Sequence, residues 1–567
     1  MTSSLIRSRP RRGGSHISAR VVHALLGGLV GVVWLVLPAL TFAGGDRLAG
    51  GAERPVAGAA AQQEVEETSG IDLVVPLLAA AAAMALAGYG FLRRRRRQRG
   101  RTTPGGPPVR AVEAPDGGLD DRARALLVAA DDWVRVSGEE LGFVAERVTA
   151  GAAVAPADVE DVARVVRDAE RELAVAFRMR WQYEGGVPRE AAARRHVLAG
   201  IVGRCEEAGR LLDARAAAFD EVRALEEGLG GGLGHALVVA EGRFRELAGR
   251  LGGTGAVLAE LGDRYGHTAT ADVAGHVEQA KDRLVFATAR LNQARRRADS
   301  GENGRAAGRL RAAEGAIAQA AALVDGVERL ARTLATAAAM VPAALSGGEA
   351  EIAGARERLR AVDAGAPGPA APGTPASPAT VDVPPGELHA RVLHADLALA
   401  AVREELASKA YDPLDLLRRI VRGVQPVFAG RSGVIPAAAS LCAGSAVADA
   451  DTVVATHRAA VGAEARTRLA EARRLLAVPV SAPAGRDARQ ELADLVEADL
   501  LALQAHELAE QDVRVHGHPV DGPGADIDGL AGAVLGGVLL GGAPDGGPPA
   551  CFGGPRSRER RGGTVRT

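Results

Sequence analysis

Side chains able to do chemistry occur in this chain as pairs, and pairs are where catalysis or ligand binding would start. Glu139-Glu140 and Glu206-Glu207 are adjacent carboxylates. Acid–base catalysis needs two such groups converging on one reacting atom. Adjacent residues of a helix point in different directions, so both pairs are expected on solvated helix faces. Cys205, Cys442 and Cys551 are far apart in sequence and lack the spacing of metal ligands. Cys205 falls on an apolar seam with Ile201, Ala208 and Leu212, where a thiol packs as a small apolar group. Neither Cys442 nor Cys551 has a His or Asp nearby to make it a nucleophile. His516 and His518 flank Gly517 and could touch a metal ion, but no third ligand is near in sequence. GLGGGLG at 228–234 has the glycines of a phosphate loop without its preceding strand or its Gly-Lys-Ser/Thr ending. A helix-to-helix turn is expected there. Trp133, Trp181 and Tyr183 read as core or interface anchors. No catalytic residue, cofactor or metal site is expected from these groups.

The densest charge is Arg93, Arg94, Arg95, Arg96, Arg97, Arg99 and Arg101. It follows directly on an apolar run, IDLVVPLLAAAAAMALAGYGFL, at 71–92. About 20 apolar residues in a helix span a bilayer core of roughly 30 Å. Basic flanks stay on the cytoplasmic side, so everything from Arg93 onward is expected inside the cell. The same arginines can hold anionic headgroups, at about 1 kcal/mol per basic residue near the surface. An earlier apolar run at 21–43 follows Arg7, Arg9, Arg11, Arg12 and Arg20. Residues 1–43 therefore read either as a signal peptide or as a first membrane helix. Residues 44–70 form a short extracytoplasmic loop, and 93–116 a basic juxtamembrane linker.

Formal net charge is −1, with 69 basic and 70 acidic residues interleaved along the chain, which is no nucleic-acid footprint. Only Lys281 and Lys409 are lysines. Apolar residues recur every three or four positions through most of 117–362. The clearest stripe is Leu310, Ala313, Ile317, Ala320, Val324, Val327, Ala331 and Leu334, which predicts one amphipathic helix. Breakers at 151–156, 185–188, 228–232, 262–270 and 299–304 divide the seams, as antiparallel helices require. A Pro/Ala-rich linker at 363–386 cannot build a core. A second helical region, 387–516, has Asp412-Pro413 as a helix start and an interrupted stretch at 425–442 where no helix is assigned. The tail, 517–567, is rich in Gly, Pro and Arg. Its segment 529–542 is too short to span a bilayer and is expected at the surface or disordered. The expected fold class is all-α: a membrane anchor helix, an elongated antiparallel helical-bundle or coiled-coil body, and a Gly-rich tail.

Several phrases occur in a shared order. They include VRVSGEELGFVAERV at 134–148, VGRCEEAGRLLDARAAAFDEVRALE at 202–226 and VEQAKDRLVFATARLNQARRR at 277–297. GRAAGRLRAAEGAIAQAAALVDGVERL at 304–330, DPLDLLRR at 412–419, HRAAVGAEARTRLAEARRLL at 457–476 and HELAEQDVR at 506–514 follow, then LGGVLLGG. This order resembles the membrane-anchored TPM-domain proteins of actinobacteria over most of 117–542. The resemblance implies a signal peptide, an extracellular TPM domain, a membrane helix, a cytoplasmic helical region and a glycine-rich tail. The chain departs from that plan between its two apolar runs, where 44–70 leaves no room for a TPM domain. Phosphatase-like or calcium-dependent activity tied to that domain is therefore not implied.

These readings point to a non-catalytic, membrane-anchored interaction or scaffold protein of the cell envelope. Its expected partners are the membrane and another protein, or a second copy of itself. The alternative is a transmembrane signalling adaptor coupling an envelope partner to the helices. The body is expected at the plasma membrane on the cytoplasmic side.

Overall fold

Alanine and leucine at helical spacing, cut by glycine and proline, produce thirteen α-helices and no named strand among the described residues. The computed structural model describes residues 117–149, 155–363, 383–407, 410–477, 487–516, 529–541 and 546–563. The expected anchor at 71–92, the signal segment at 1–43 and the seven arginines of 93–101 lie outside these residues, as does most of the 363–386 linker. All described residues belong to one unit, Arg110–Thr567. The fold is all-α.

The first three helices, α1 (Gly117–Thr149), α2 (Pro156–Glu184) and α3 (Ala191–Arg223), pack on one another. Leu127, Ala169, Leu198, Leu212 and Phe219 share their core. Pro156 opens α2, where a missing N–H costs nothing. Next come α4 (Gly232–Tyr265), α5 (His276–Asp299) and α6 (Asn303–Asp363). Every breaker in the sequence separates two of these helices.

At 61 residues, α6 is roughly 90 Å long at 1.5 Å rise per residue. Leu310, Ile317, Val324 and Leu334 of the predicted stripe are buried along it, and the helix continues through Pro342. Its first half packs on α4 and α5, burying Leu233 and Leu284. Its second half packs on α7 (Pro385–Leu406), α8 (Pro413–Val424) and α9 (Val434–Thr456), with Leu399, Leu417 and Ile435 in that core. One helix thus joins the regions before and after the linker. Gly348 permits this contact, because a Cβ there would stand 2.9 Å from Val424 and 3.2 Å from Leu399.

Asp412 caps α8 as its sequence predicts, accepting from the N–H groups of Leu414 at 2.9 Å and Asp415 at 3.2 Å. The interrupted stretch after it is ordered from outside. Buried Glu351 of α6 accepts from the N–H groups of Ala429 (2.7 Å), Arg431 (2.6 Å) and Ser432 (2.9 Å). Helix α9 then begins at Val434. It is long and apolar enough to cross a membrane by composition alone. Here it lies against α6 and α11, and its Asp451 bonds Arg135 of α1. It is a core helix of this unit. Helices α10 (Ala463–Leu476) and α11 (Ala488–His516) complete a last core around Val454, Leu469, Ala498 and Ala502.

The tail corrects the expectation of a surface or disordered segment. It forms α12 (Leu530–Leu535), a single bridge between Leu539 and Pro549, and α13 (Pro555–Gly563). Ala533, Val534, Val538 and Leu539 lie in the core of α4–α6, and Phe552 lies in the core of α1–α3. The tail therefore plugs two cores at once.

Candidate functional site

The residues that converge most strongly are charged, and they meet where α1, α3, α6, the α9–α10 turn and the tail come together. Helix α1 carries Asp131, Asp132, Arg135, Glu139, Glu140 and Arg147 across nearly five turns. Other helices pack on it from several sides, so residues on more than one of its faces become internal. Glu139 and Glu140 do point in different directions, and both directions lead to buried arginines. Glu140 is 5% exposed, which corrects the expectation of a solvated pair.

Arg458 donates to both Glu139 oxygens at 2.9 Å, a bidentate fork. Its Nε donates to the Gly536 carbonyl of the tail, also at 2.9 Å. Arg466 of α10 donates to Asp131 at 2.6 Å, to Asp132 at 2.7 Å and to the Arg458 carbonyl at 2.6 Å. Arg135 bridges Asp131 at 2.9 Å and Asp451 of α9 at 2.8 Å. Deeper inside, Arg223 at the end of α3 donates to Glu314 of α6 at 2.6 Å, and Arg147 donates to the Arg223 carbonyl at 2.8 Å. A cavity of about 20 Å³ among Glu139, Glu140, Arg311, Glu314, Arg458 and Val538 has room for one water.

Charge pairing sets the protonation of most of this network; at Glu314 burial outweighs Arg223 and raises the carboxyl. Burial alone would raise the Asp131 carboxyl, but Arg135 and Arg466 outweigh it and hold it near 2. Burial opposes charge on Arg223 and Arg458 as well. Glu314 and Glu140 around the first, and Glu139 beside the second, hold each guanidinium above its ordinary value. Groups fixed this far from neutrality are poor proton carriers at pH 7, where a catalytic acid or base must titrate. Their physical role is to lock helices together.

The tail is tied to the same centre by its backbone. Phe552 N–H donates to Glu140 at 3.1 Å and Gly553 N–H to Ser137 Oγ at 3.2 Å. Asp213 of α3 accepts from the N–H groups of Gly554 (2.9 Å), Arg556 (3.1 Å) and Ser557 (3.0 Å), and from Ser557 Oγ at 2.6 Å. It caps α13 and pins it. A Cβ on Gly209 would meet Trp133 at 2.8 Å and Pro555 at 2.9 Å, so this close approach needs glycine. Phe552 stacks on Phe219 with ring centroids 4.1 Å apart.

The other candidate residues fall as follows. Cys205, Cys442 and Cys551 are all buried, and burial pushes the Cys205 and Cys442 thiols up to about 12. A thiol at that value is protonated and unreactive. Glu206 and Glu207 do lie on an outer face, paired with Arg122 and Arg210. GLGGGLG forms the α3–α4 turn, and the Glu227 carboxylate faces the Gly232 N–H at 3.4 Å, where a phosphate would have to sit. Trp133 is buried, Trp181 packs on the α9–α11 core, and Tyr183 has the Arg194 guanidinium 4.0 Å from its ring centre. His516 ends α11 exposed, and His518 lies outside the described residues. Among the described residues no three His, Cys, Asp or Glu side chains are grouped to hold a metal ion.

Two histidines, His276 buried and His457 half-buried, make the unit sensitive to acid. Burial lowers His276 and His457 from 6.5 to about 4, with Arg283 adding to the effect at His457. Arg329 faces His276 as a second charge. Their folded values lie below the unfolded one. The stability they contribute is thus present above pH 6.5 and lost as pH falls toward 4. His457→Gln is expected to flatten the fall of the urea midpoint over that range. A slope equal to that of the parent protein would show that His457 is not a source of it.

The chain is similar to two curated proteins of Mycobacterium tuberculosis, the UPF0603 protein of strain CDC 1551 / Oshkosh and that of strain ATCC 25618 / H37Rv. Each is 29% identical over 433 residues, covering 74% of this chain and 60% of the relative. The chain therefore spans less than two thirds of the length of these relatives. No family model matches the sequence, and no solved structure matches the fold. The likeness supports kinship with an actinobacterial group of proteins.

Proposed function

We propose that this protein is a non-catalytic, membrane-anchored helical scaffold whose body lies on the cytoplasmic side of the plasma membrane and holds a protein partner. One observation carries this reading. The ionisable groups that converge inside the body, Glu139, Glu140, Glu314, Arg223 and Arg458, are engaged with one another across four parts of the chain. Such a network fixes relative helix positions, which a binding frame requires. The anchoring rests on the apolar run at 71–92 and the arginines after it.

A signalling adaptor is the second reading. Helix α1 is the first helix after the basic linker in chain order, and it carries the ion pairs reaching α10, α9 and the α9–α10 turn. A displacement of α1 would be felt throughout the unit.

The test is affinity purification of the full chain from membranes in mild detergent, followed by mass spectrometry and assays with phosphate esters and nucleotides. A discrete protein retained at fixed stoichiometry is expected, without turnover. Turnover that follows the protein through repurification and disappears on one substitution would replace the scaffold with an enzyme.

A further inference from the structure

An open recess of about 520 Å³ lies between the end of α5 and the start of α6, away from the buried network. Four arginines line it, Arg290, Arg296, Arg297 and Arg309, against one carboxylate, Glu302. Arg290, Gln293 and Arg297 step by three and four along α5 and share a face. Arg309 reaches the recess from α6. The one carboxylate is already occupied: Glu302 accepts from Arg297 at 2.7 Å and from Arg305 at 2.6 Å.

Several other arginines of these two helices have partners. Arg295 bonds Glu241, Arg311 bonds Asp220, and Arg329 bonds Thr452. The side chains of Arg296 and Arg309 make no hydrogen bond or ion pair among the described residues. Helix dipoles explain only part of this arrangement. Arg296 and Arg297 sit in the last turn of α5, where positive charge is favoured. Arg309 sits in the second turn of α6, near its positive end, where positive charge gains nothing from the dipole. Like charges gathered on one recess repel, and a multivalent anion relieves that repulsion. Guanidinium forks match phosphate oxygens in pairs, and the volume is that of a small-ligand site.

We propose that this recess binds a ligand bearing two or more phosphate charges, held by Arg296 and Arg309 with Arg290 and Arg297 at its sides. The phosphate comes either from a soluble polyanion or from a lipid headgroup. Because the recess is open, binding weakens as salt rises.

The test uses the full chain in phosphatidylcholine nanodiscs, titrated calorimetrically with inorganic tripolyphosphate and, separately, with a short-chain soluble phosphatidylinositol bisphosphate. The comparison is with Arg296→Gln/Arg309→Gln, so that binding by the arginines at 93–101 cancels. Loss of two charge-assisted contacts is expected to weaken binding roughly a hundredfold. Arg296→Lys/Arg309→Lys, which keeps charge but loses the forks, should fall between and guards against misfolding as the cause. Arg164→Gln, on an exposed arginine of α2 paired with Asp161, should bind as the parent does. Binding of tripolyphosphate alone identifies a soluble ligand, and binding of the lipid alone identifies a headgroup. No difference between the parent and the double Gln variant for either ligand overturns the proposal, as does an equal loss in Arg164→Gln.

Discussion

Phe552→Ala is expected to destabilise the unit by about 3–5 kcal/mol, the usual loss when a buried phenylalanine becomes alanine. Phe552 has no exposed surface and stacks on Phe219 at the centre of the α1–α3 core. Alanine would leave a cavity among helices whose other core residues are mostly small, and the rigid ring of Phe219 cannot fill it. The effect should also be directional. The backbone around Phe552 is what reaches Glu140, Ser137 and Asp213, so losing the ring weakens those bonds together. Thermal unfolding of the 110–567 unit should shift downward, and limited proteolysis should cut the tail faster than in the parent. A melting curve that does not move would mean that the tail is not part of the core.

Arg466→Met should cost about as much, roughly 3–5 kcal/mol, for an electrostatic reason. The Arg466 side chain is 1% exposed and faces Asp131 and Asp132 together. Methionine fills similar space but leaves both carboxylates short of a counter-ion, with Arg135 the remaining partner of Asp131. The carbonyls of Arg458 and Val461 lose their donors as well. Adding Asp131→Leu to Arg466→Met should recover part of the loss, since an apolar replacement of both partners removes the stranded charge. Urea unfolding of the single and double variants measures this. A single variant within 1 kcal/mol of the parent would show that the pairing is dispensable.

The two variants probe features with different legibility. The stripe from Leu310 to Leu334, the breakers between helices and the Asp412-Pro413 start were all readable, because each depends on residues a few positions apart. Helix α9 was not readable as a core helix. Its composition suits a bilayer, and its start follows a Pro/Gly stretch that only Glu351, far away in sequence, holds in place. Glu139 and Glu140 were misplaced for a similar reason. Their adjacency showed that they diverge, but not that both directions lead inward. The tail was misplaced because glycine and proline give it no periodicity of its own.

The sequence by itself determined where the helices of 117–362 are broken, which face carries the apolar stripe, and that the fold is all-α. These follow from backbone propensity, capping and side-chain spacing, which act within a turn or two of helix. Only the tertiary structure decided which charges are buried and whether the tail is ordered. Arg458 finds Glu139 across 319 residues, and Phe552 finds Glu140 across 412. No local pattern encodes such partners. A carboxylate or a peptide N–H can be buried only where another part of the chain supplies its complement, and folding alone brings the two together.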